Sequence, residues 1–283
     1  LITKLASLTA KIMFRSVRSL VSILKLWFAK FFLSFSTRLE SEDLLNKIHA
    51  ASGLEAFQGE VVFDLMAGSG KVALGMQERS PGNKVIVLDS ARKQLDNITS
   101  PIMKILRDVR DIEFIADGLV DVALVRYGIK DIPQEQQLDV LKQIRRIVKP
   151  GGKLIVTDMM SPVGMRDWNI MQHSRKQELG GRKISEEGQC YIPEEQEWLD
   201  LLRDAGFLPE VFGYYTSRVK TMDWVTGEQI TDEQRPIMDT LLLNAPDEIR
   251  DAFNIRQEGQ DVKIDAPVII IKAMKPQVID DEK

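Results

Sequence analysis

The chain has 283 residues, 44% of them hydrophobic and 28% charged, which suits a globular protein and exceeds what one doubly wound domain of typical size needs. One cysteine, Cys190, and two histidines, His49 and His173, exclude an internal disulfide, a thiolate cluster and a histidine-rich metal site, so no metal is expected. Of the 38 Lys and Arg, seven lie in residues 1–39, where there is no acid, leaving 31 against all 42 acids; so acidic a body argues against nucleic acid as a partner, because phosphate binding rests on clustered Lys and Arg.

In residues 1–36, Lys4, Lys11, Arg15, Arg18 and Lys25 recur at helical spacing, and the other faces carry Leu5, Leu8, Ile12, Val17, Leu24 and Phe28. A basic stripe on a broad apolar helix suits the surface of an anionic membrane, while four cations between Arg15 and Lys30 argue against a span. The same composition fits an organelle transit peptide or helices packed over the active site or a second subunit. The expectation is a basic amphipathic helical extension over 1–40 and one catalytic domain over 41–283. The expected location is cytoplasmic, with peripheral membrane contact, organelle targeting and a homodimer left open.

Residues 41–51 read as a helix, and Glu60–Leu65 as the first strand. Gly68 and Gly70 then make a tight turn that lets a ligand approach the backbone, a helix follows from Lys71, and Lys84–Leu88 is the second strand. Asp89, at its tip, is placed to accept hydrogen bonds from two ribose hydroxyls. The run from Gly68 to Ala73 also satisfies the loose glycine pattern of dinucleotide binders. Asp64 just ahead of it disfavours a pyrophosphate and favours a cationic cofactor without phosphate, such as S-adenosylmethionine.

Ser90 is read as the N-cap of the next helix. Further on, Val120–Arg126 is a strand, Gln134–Val148 a helix, Lys153–Asp158 a strand after the Pro150-Gly151-Gly152 turn, and Glu194–Ala205 a helix. Phe207–Thr216 and Ala266–Met274 complete the strands. Two stretches remain: a lid segment over 159–191, and an insertion over 223–265 whose Trp224, Met238, Leu242 and Phe253 make either a cap over the substrate or ordinary helical core.

Asp64-Leu65-Met66-Ala67-Gly68-Ser69-Gly70, Val87-Leu88-Asp89, the segment Val120 to Asp131 and the segment Val148 to Asp158 together resemble the class I S-adenosylmethionine-dependent methyltransferases. Within them the resemblance is nearest to the ubiquinone/menaquinone C-methyltransferase-like small-molecule group. It covers about residues 45 to 160; Met66 departs from it, standing where many members have a further glycine. The resemblance implies an α/β fold, a doubly wound, seven-stranded and mostly parallel sheet, with N-terminal helices and a helical cap before the last strand.

It further implies S-adenosylmethionine as cofactor, held by Asp64, Met66, Gly68, Gly70, Asp89, Ser90, Asp108, Val109 and Arg126. Asp108 takes the adenine amine if the third strand is Ile102–Arg107. Asp117 is the alternative if it is Ile112–Ala116, but the four residues from Asp117 to Val120 are too few to cross two strands. Tyr127 and His173 are the candidate catalytic residues, each with a plainer alternative: an aromatic packed under the cofactor, and a solvated histidine in a polar loop. The expected reaction is in-line methyl transfer to a hydrophobic small molecule, quinone-, polyketide- or isoprenoid-like. A non-methylating reaction in the same pocket, a noncatalytic scaffold, or a nicotinamide-dependent enzyme are the other readings.

Overall fold

Strand β1 (Val61–Leu65) is almost wholly buried, as a strand covered on both faces must be, and it seeds the sheet. In the computed structural model, which describes residues 42–55, 59–184, 189–226 and 230–277, β1 pairs in parallel with β2 (Lys84–Asp89) on one side and β4 (Val120–Arg126) on the other. The chain divides into two units, Leu1–Asn46 and Lys47–Lys283. Of the first only residues 42–46 are described, and they are helical. The amphipathic segment over 1–36 therefore lies outside the described residues; among those described, no helix is long and apolar enough to cross a membrane.

The main path of the sheet runs β3-β2-β1-β4-β5-β8-β6, with β3 at Met103–Leu106, β5 at Val148–Met159, β6 at Leu208–Lys220 and β8 at Asp261–Met274. A short β7 (Arg256–Glu258) pairs with β8 off this path. Strands β1 to β5 are parallel, and β8 runs antiparallel between β5 and β6. The strand order reverses between β1 and β4, so a crevice opens beyond their carboxyl ends, where open α/β sheets take ligands. Of the two candidate third strands, Ile102–Arg107 contains the observed one. Residues 112–115 form instead a turn closed by the Ile115 N–H on the Ile112 carbonyl.

Helix α1 (Lys71–Arg79) buries Val72, Ala73 and Met76. The short α2 (Arg92–Asp96) begins two residues beyond Ser90. Its N-cap is Ala91, which has no side-chain acceptor to cap with, and the Asp89 carboxylate accepts the Ala91 N–H at 2.8 Å. Ser90 is thus lining rather than cap. Helix α3 (Gln134–Ile147) buries Val140, Leu141, Ile144 and Ile147, one face at helical spacing. Helix α5 (Glu195–Asp204) starts at a capping box formed by Glu194 and Glu197.

Helix α4 (Arg166–Leu179) fills the segment read as a polar loop, and it buries polar residues: Asn169, Gln172, His173 and Ser174. Beyond β6, helices α6 (Thr221–Thr226), α7 (Arg235–Leu243) and α8 (Asp247–Ala252) make up the insertion. Trp224, Met238, Leu242 and Phe253 are buried in a cluster of their own, against which Met165, Trp168 and Leu179 of the lid pack. The apolar residues of the insertion are thus spent largely on its own interior.

Candidate functional site

Two adjoining cavities open at the carboxyl end of the sheet and share Met66 and Tyr127 in their walls. The larger, of about 820 Å³, is also lined by Asp89, Ser90, Asp108, Val109, Arg110, Gly128, Asp131 and Gln136. The smaller, of about 320 Å³, is lined by Asp64, Gly68, Ser69, Lys71, Gln94 and Arg126. Every residue expected to hold the cofactor lines one or the other except Gly70, which stands at the foot of the turn as the N-cap of α1. Its φ is +72° and a Cβ there would meet Ile98 Cδ1 at 2.7 Å; only glycine fits both the conformation and the space.

Asp89 lines the larger cavity. Its Oδ2 accepts the Gly68 N–H at 2.7 Å, and its Oδ1 accepts the Ala91 N–H at 2.8 Å. Each carboxylate oxygen can accept a second donor, so the acid holds the turn and keeps capacity for two hydroxyls. Asp108 accepts from the Arg110 N–H, Nε and Nη2, and the Arg110 side chain holds its carboxyl below the usual range. Asp117 is paired with Arg146 instead and lies outside the lining of this cavity.

At the other end Asp64 is buried, 1% exposed, and its Oδ2 accepts the Ala73 N–H in the first turn of α1 at 3.0 Å. Burial pushes its carboxyl up to about 7, against the pull of that N–H and of Arg126. The guanidinium of Arg126 lies 5.0 Å from the centre of the Tyr127 ring, and its Nε is buried with no hydrogen-bond partner among the described residues. A buried donor without an acceptor is costly unless a ligand supplies one. Met66 and Tyr127, which directly follow the adjacent strands β1 and β4, both have left-handed backbones, φ 57° and 55°. Such conformations in non-glycine residues concentrate at ligand sites.

The two candidate catalytic residues stand apart. Tyr127 lines both cavities, with burial raising its pKa. His173 lies in α4, 5% exposed, in the wall of a third cavity, and burial pushes it down to about 3. Its Nε2 is 3.6 Å from Asp131 Oδ1, beyond a hydrogen bond. Sequence reasoning missed Arg110, Asp131 and Gln136 as lining residues; only Asp131 stood in a quoted motif, and the others meet the site through the fold alone.

A family profile described as a methyltransferase domain matches residues 62–152. The ubiquinone/menaquinone biosynthesis C-methyltransferase of Paracoccus denitrificans is 25% identical over 173 residues, 53% of this chain and 66% of that protein. A demethylmenaquinone methyltransferase of Chlamydia trachomatis is 27% identical over 106 residues, 36% of this chain and 45% of that protein. The chain thus spans just under two thirds, or less, of the length of these relatives. In fold it is similar to the YcgJ protein of Bacillus subtilis, with a TM-score of 0.69 at 16% identity, covering 82% of this chain and 98% of that one. A matching profile that spans the glycine turn, Asp89 and β4, on a sheet of this order, marks residues 62–152 as a methyltransferase domain and supports a class I S-adenosylmethionine-dependent methyltransferase related to the ubiquinone/menaquinone C-methyltransferase group.

Proposed function

We propose that this protein transfers a methyl group from S-adenosylmethionine to a hydrophobic small molecule of quinone-, polyketide- or isoprenoid-like character. The observation that carries the donor half is Asp89, which holds the Gly68 turn while keeping acceptor capacity toward the larger cavity. The residues present fit the cofactor along its length. Asp108 suits the adenine amine, Asp89 the ribose hydroxyls, and the unpartnered Arg126 Nε the carboxylate of the methionine part. Asp64 beside Arg126 suits the ammonium, whose charge would favour the ionised carboxylate that burial disfavours.

When bound, the cofactor supplies an activated methyl on a sulfonium centre. What remains for the chain is to place an acceptor atom in line with that methyl and to keep water away. Tyr127, between the two cavities and under the Arg126 guanidinium, is the side chain best placed to bound the meeting point. The quinone-like acceptor is supported by the sequence relation to the two quinone methyltransferases named above.

Incubation with trideuteromethyl-labelled S-adenosylmethionine and a panel of demethylated quinols, polyketide phenols and isoprenoid acids tests it. The expected product is heavier by one labelled methyl, with S-adenosylhomocysteine released. A converted acceptor without the label would instead support a non-methylating reaction in the same pocket, and cofactor binding without any turnover a scaffold.

A further inference from the structure

A third cavity, of about 300 Å³, is walled by Lys130, Asp131, His173, Lys176, Gln177, Gly180 and Arg182. Asp131 and Arg182 also line the larger cavity, so the two spaces adjoin. Its charges are unbalanced. Asp131, the only carboxylate in the wall among the described residues, is claimed by Lys130 Nζ at 2.7 Å and by Gln177 Nε2 at 2.6 Å, while His173 Nε2 at 3.6 Å and Arg182 Nη1 at 3.7 Å stand beyond hydrogen-bond reach of it. Burial works to raise that carboxyl, yet the Lys130 ammonium and the His173 contact hold it well below its ordinary range. A second buried acid, Asp158, accepts the Lys130 backbone N–H from behind and does not reach the wall.

Lys176 has no such partner. Among the described residues its ammonium makes no hydrogen bond or ion pair, only an approach to the Trp224 ring at 5.4 Å. Burial, reinforced by the Lys130 charge, pushes it down to about 8. The Nε2 of His173 is likewise buried without a hydrogen-bond partner among the described residues. A half-buried cation and a buried ring nitrogen, both short of acceptors, form a site that lacks an anion.

We propose that this third cavity binds a compact oxyanion, of carboxylate size, carried by the methyl acceptor, so that the acceptor is amphiphilic: an apolar body toward Tyr127 and an anionic group between Lys176 and His173. The assignment rests on the methyltransferase reading and narrows its substrate class. Lys176 supplies the charge, His173 a ring N–H on Nε2 in that tautomer, and Asp131 keeps Lys130 from competing as the primary anchor. The site specifies rather than reacts, since Asp64 and Arg126, which suit the methionine part of the cofactor, line the smaller cavity and not this one.

With only two histidines in the chain, the His173 ring signals in a nitrogen–proton correlation spectrum are assignable by His49→Gln, and they report on the cavity directly. Titration of the full chain with benzoate should move the His173 signals, whereas benzyl alcohol, the uncharged control, should not. Lys176→Gln should raise the benzoate Kd about tenfold and Lys176→Arg should restore it. The assignment is overturned if benzoate leaves His173 unmoved in the unaltered protein, if benzyl alcohol acts equally, or if Lys176→Gln binds benzoate unchanged. Calorimetry with S-adenosylhomocysteine on the same sample separates the two readings. Tight binding of it without any benzoate response sinks the anion site alone, and its failure to bind sinks the methyltransferase reading while the His173 titration still stands or falls by itself.

Discussion

The Gly68 N–H donates to Asp89 Oδ2 at 2.7 Å, so the acid at the tip of β2 holds in place the turn that follows β1. One side chain thereby holds the turn and lines the larger cavity. Asp89→Ala should raise the Kd for S-adenosylhomocysteine by about 100-fold, since hydrogen bonds to a charged acceptor contribute about 1.5–3 kcal/mol each. Calorimetric titration checks it; a change of less than threefold would remove Asp89 from the site.

Asp108 should decide the base. Asp108→Ala is expected to erase a preference for S-adenosylhomocysteine over its inosyl analogue, whose six-position carbonyl a carboxylate repels. Because Arg110 and Asp108 are both substantially exposed, Arg110→Ala should cost no more than about 1 kcal/mol of stability while still altering that preference. Competition binding with the two nucleosides reads both effects.

Burial raises the pKa of Asp64 to about 7 and of Asp158 to about 6, so the native state keeps protons that the unfolded chain gives up near pH 4. Their contribution to stability is therefore full below about pH 4 and is lost as pH rises toward 7. Asp64→Asn keeps an oxygen for the Ala73 N–H and cannot ionise. Its Tm should fall less between pH 5 and pH 8 than that of the unaltered protein, and parallel melting curves would show that Asp64 is already ionised in the fold.

Gly70→Ala brings a Cβ to within 2.7 Å of Ile98 Cδ1 and puts a side chain on a left-handed backbone. A loss of about 1–3 kcal/mol is expected in urea unfolding. Adding Ile98→Val, which removes that methyl, should recover only part of it, because the backbone strain of about 1 kcal/mol remains.

Phe253 is wholly buried in the insertion, its ring 5.1 Å from that of Trp168. Phe253→Ala should cost about 3–5 kcal/mol and, if the insertion opens by itself, should raise proteolysis within 221–265 before the sheet is cut. Simultaneous cleavage throughout would show that insertion and sheet unfold together.

The strand, the glycine turn and the acid facing it were legible because their signals are local: an apolar run, an acid and two glycines lie within ten residues, and Asp89 follows at the next strand tip. The third strand was legible by distance, since four residues cannot cross two strands. Helix α4 was not, because it buries Asn169, Gln172, His173 and Ser174, and a helix with a polar buried face carries no apolar period. Arg110 and Gln136 are joined by a hydrogen bond at 3.2 Å across 26 residues of sequence, a meeting that no spacing announces. Ser90 is not the cap because the helix starts later, at Arg92, with Ala91 as its N-cap, while Asp89 turns the chain between strand and helix by accepting the Ala91 N–H.

The helices after β6 carry a cluster of their own and brace α4 through Met165, Trp168 and Leu179, while the glycine turn and Asp89 rest on β1 and β2. The molecule thus stands on two foundations, one under α4 and one under the glycine turn. A substitution in the cluster beyond β6 can therefore shift α4 and leave the glycine turn undisturbed.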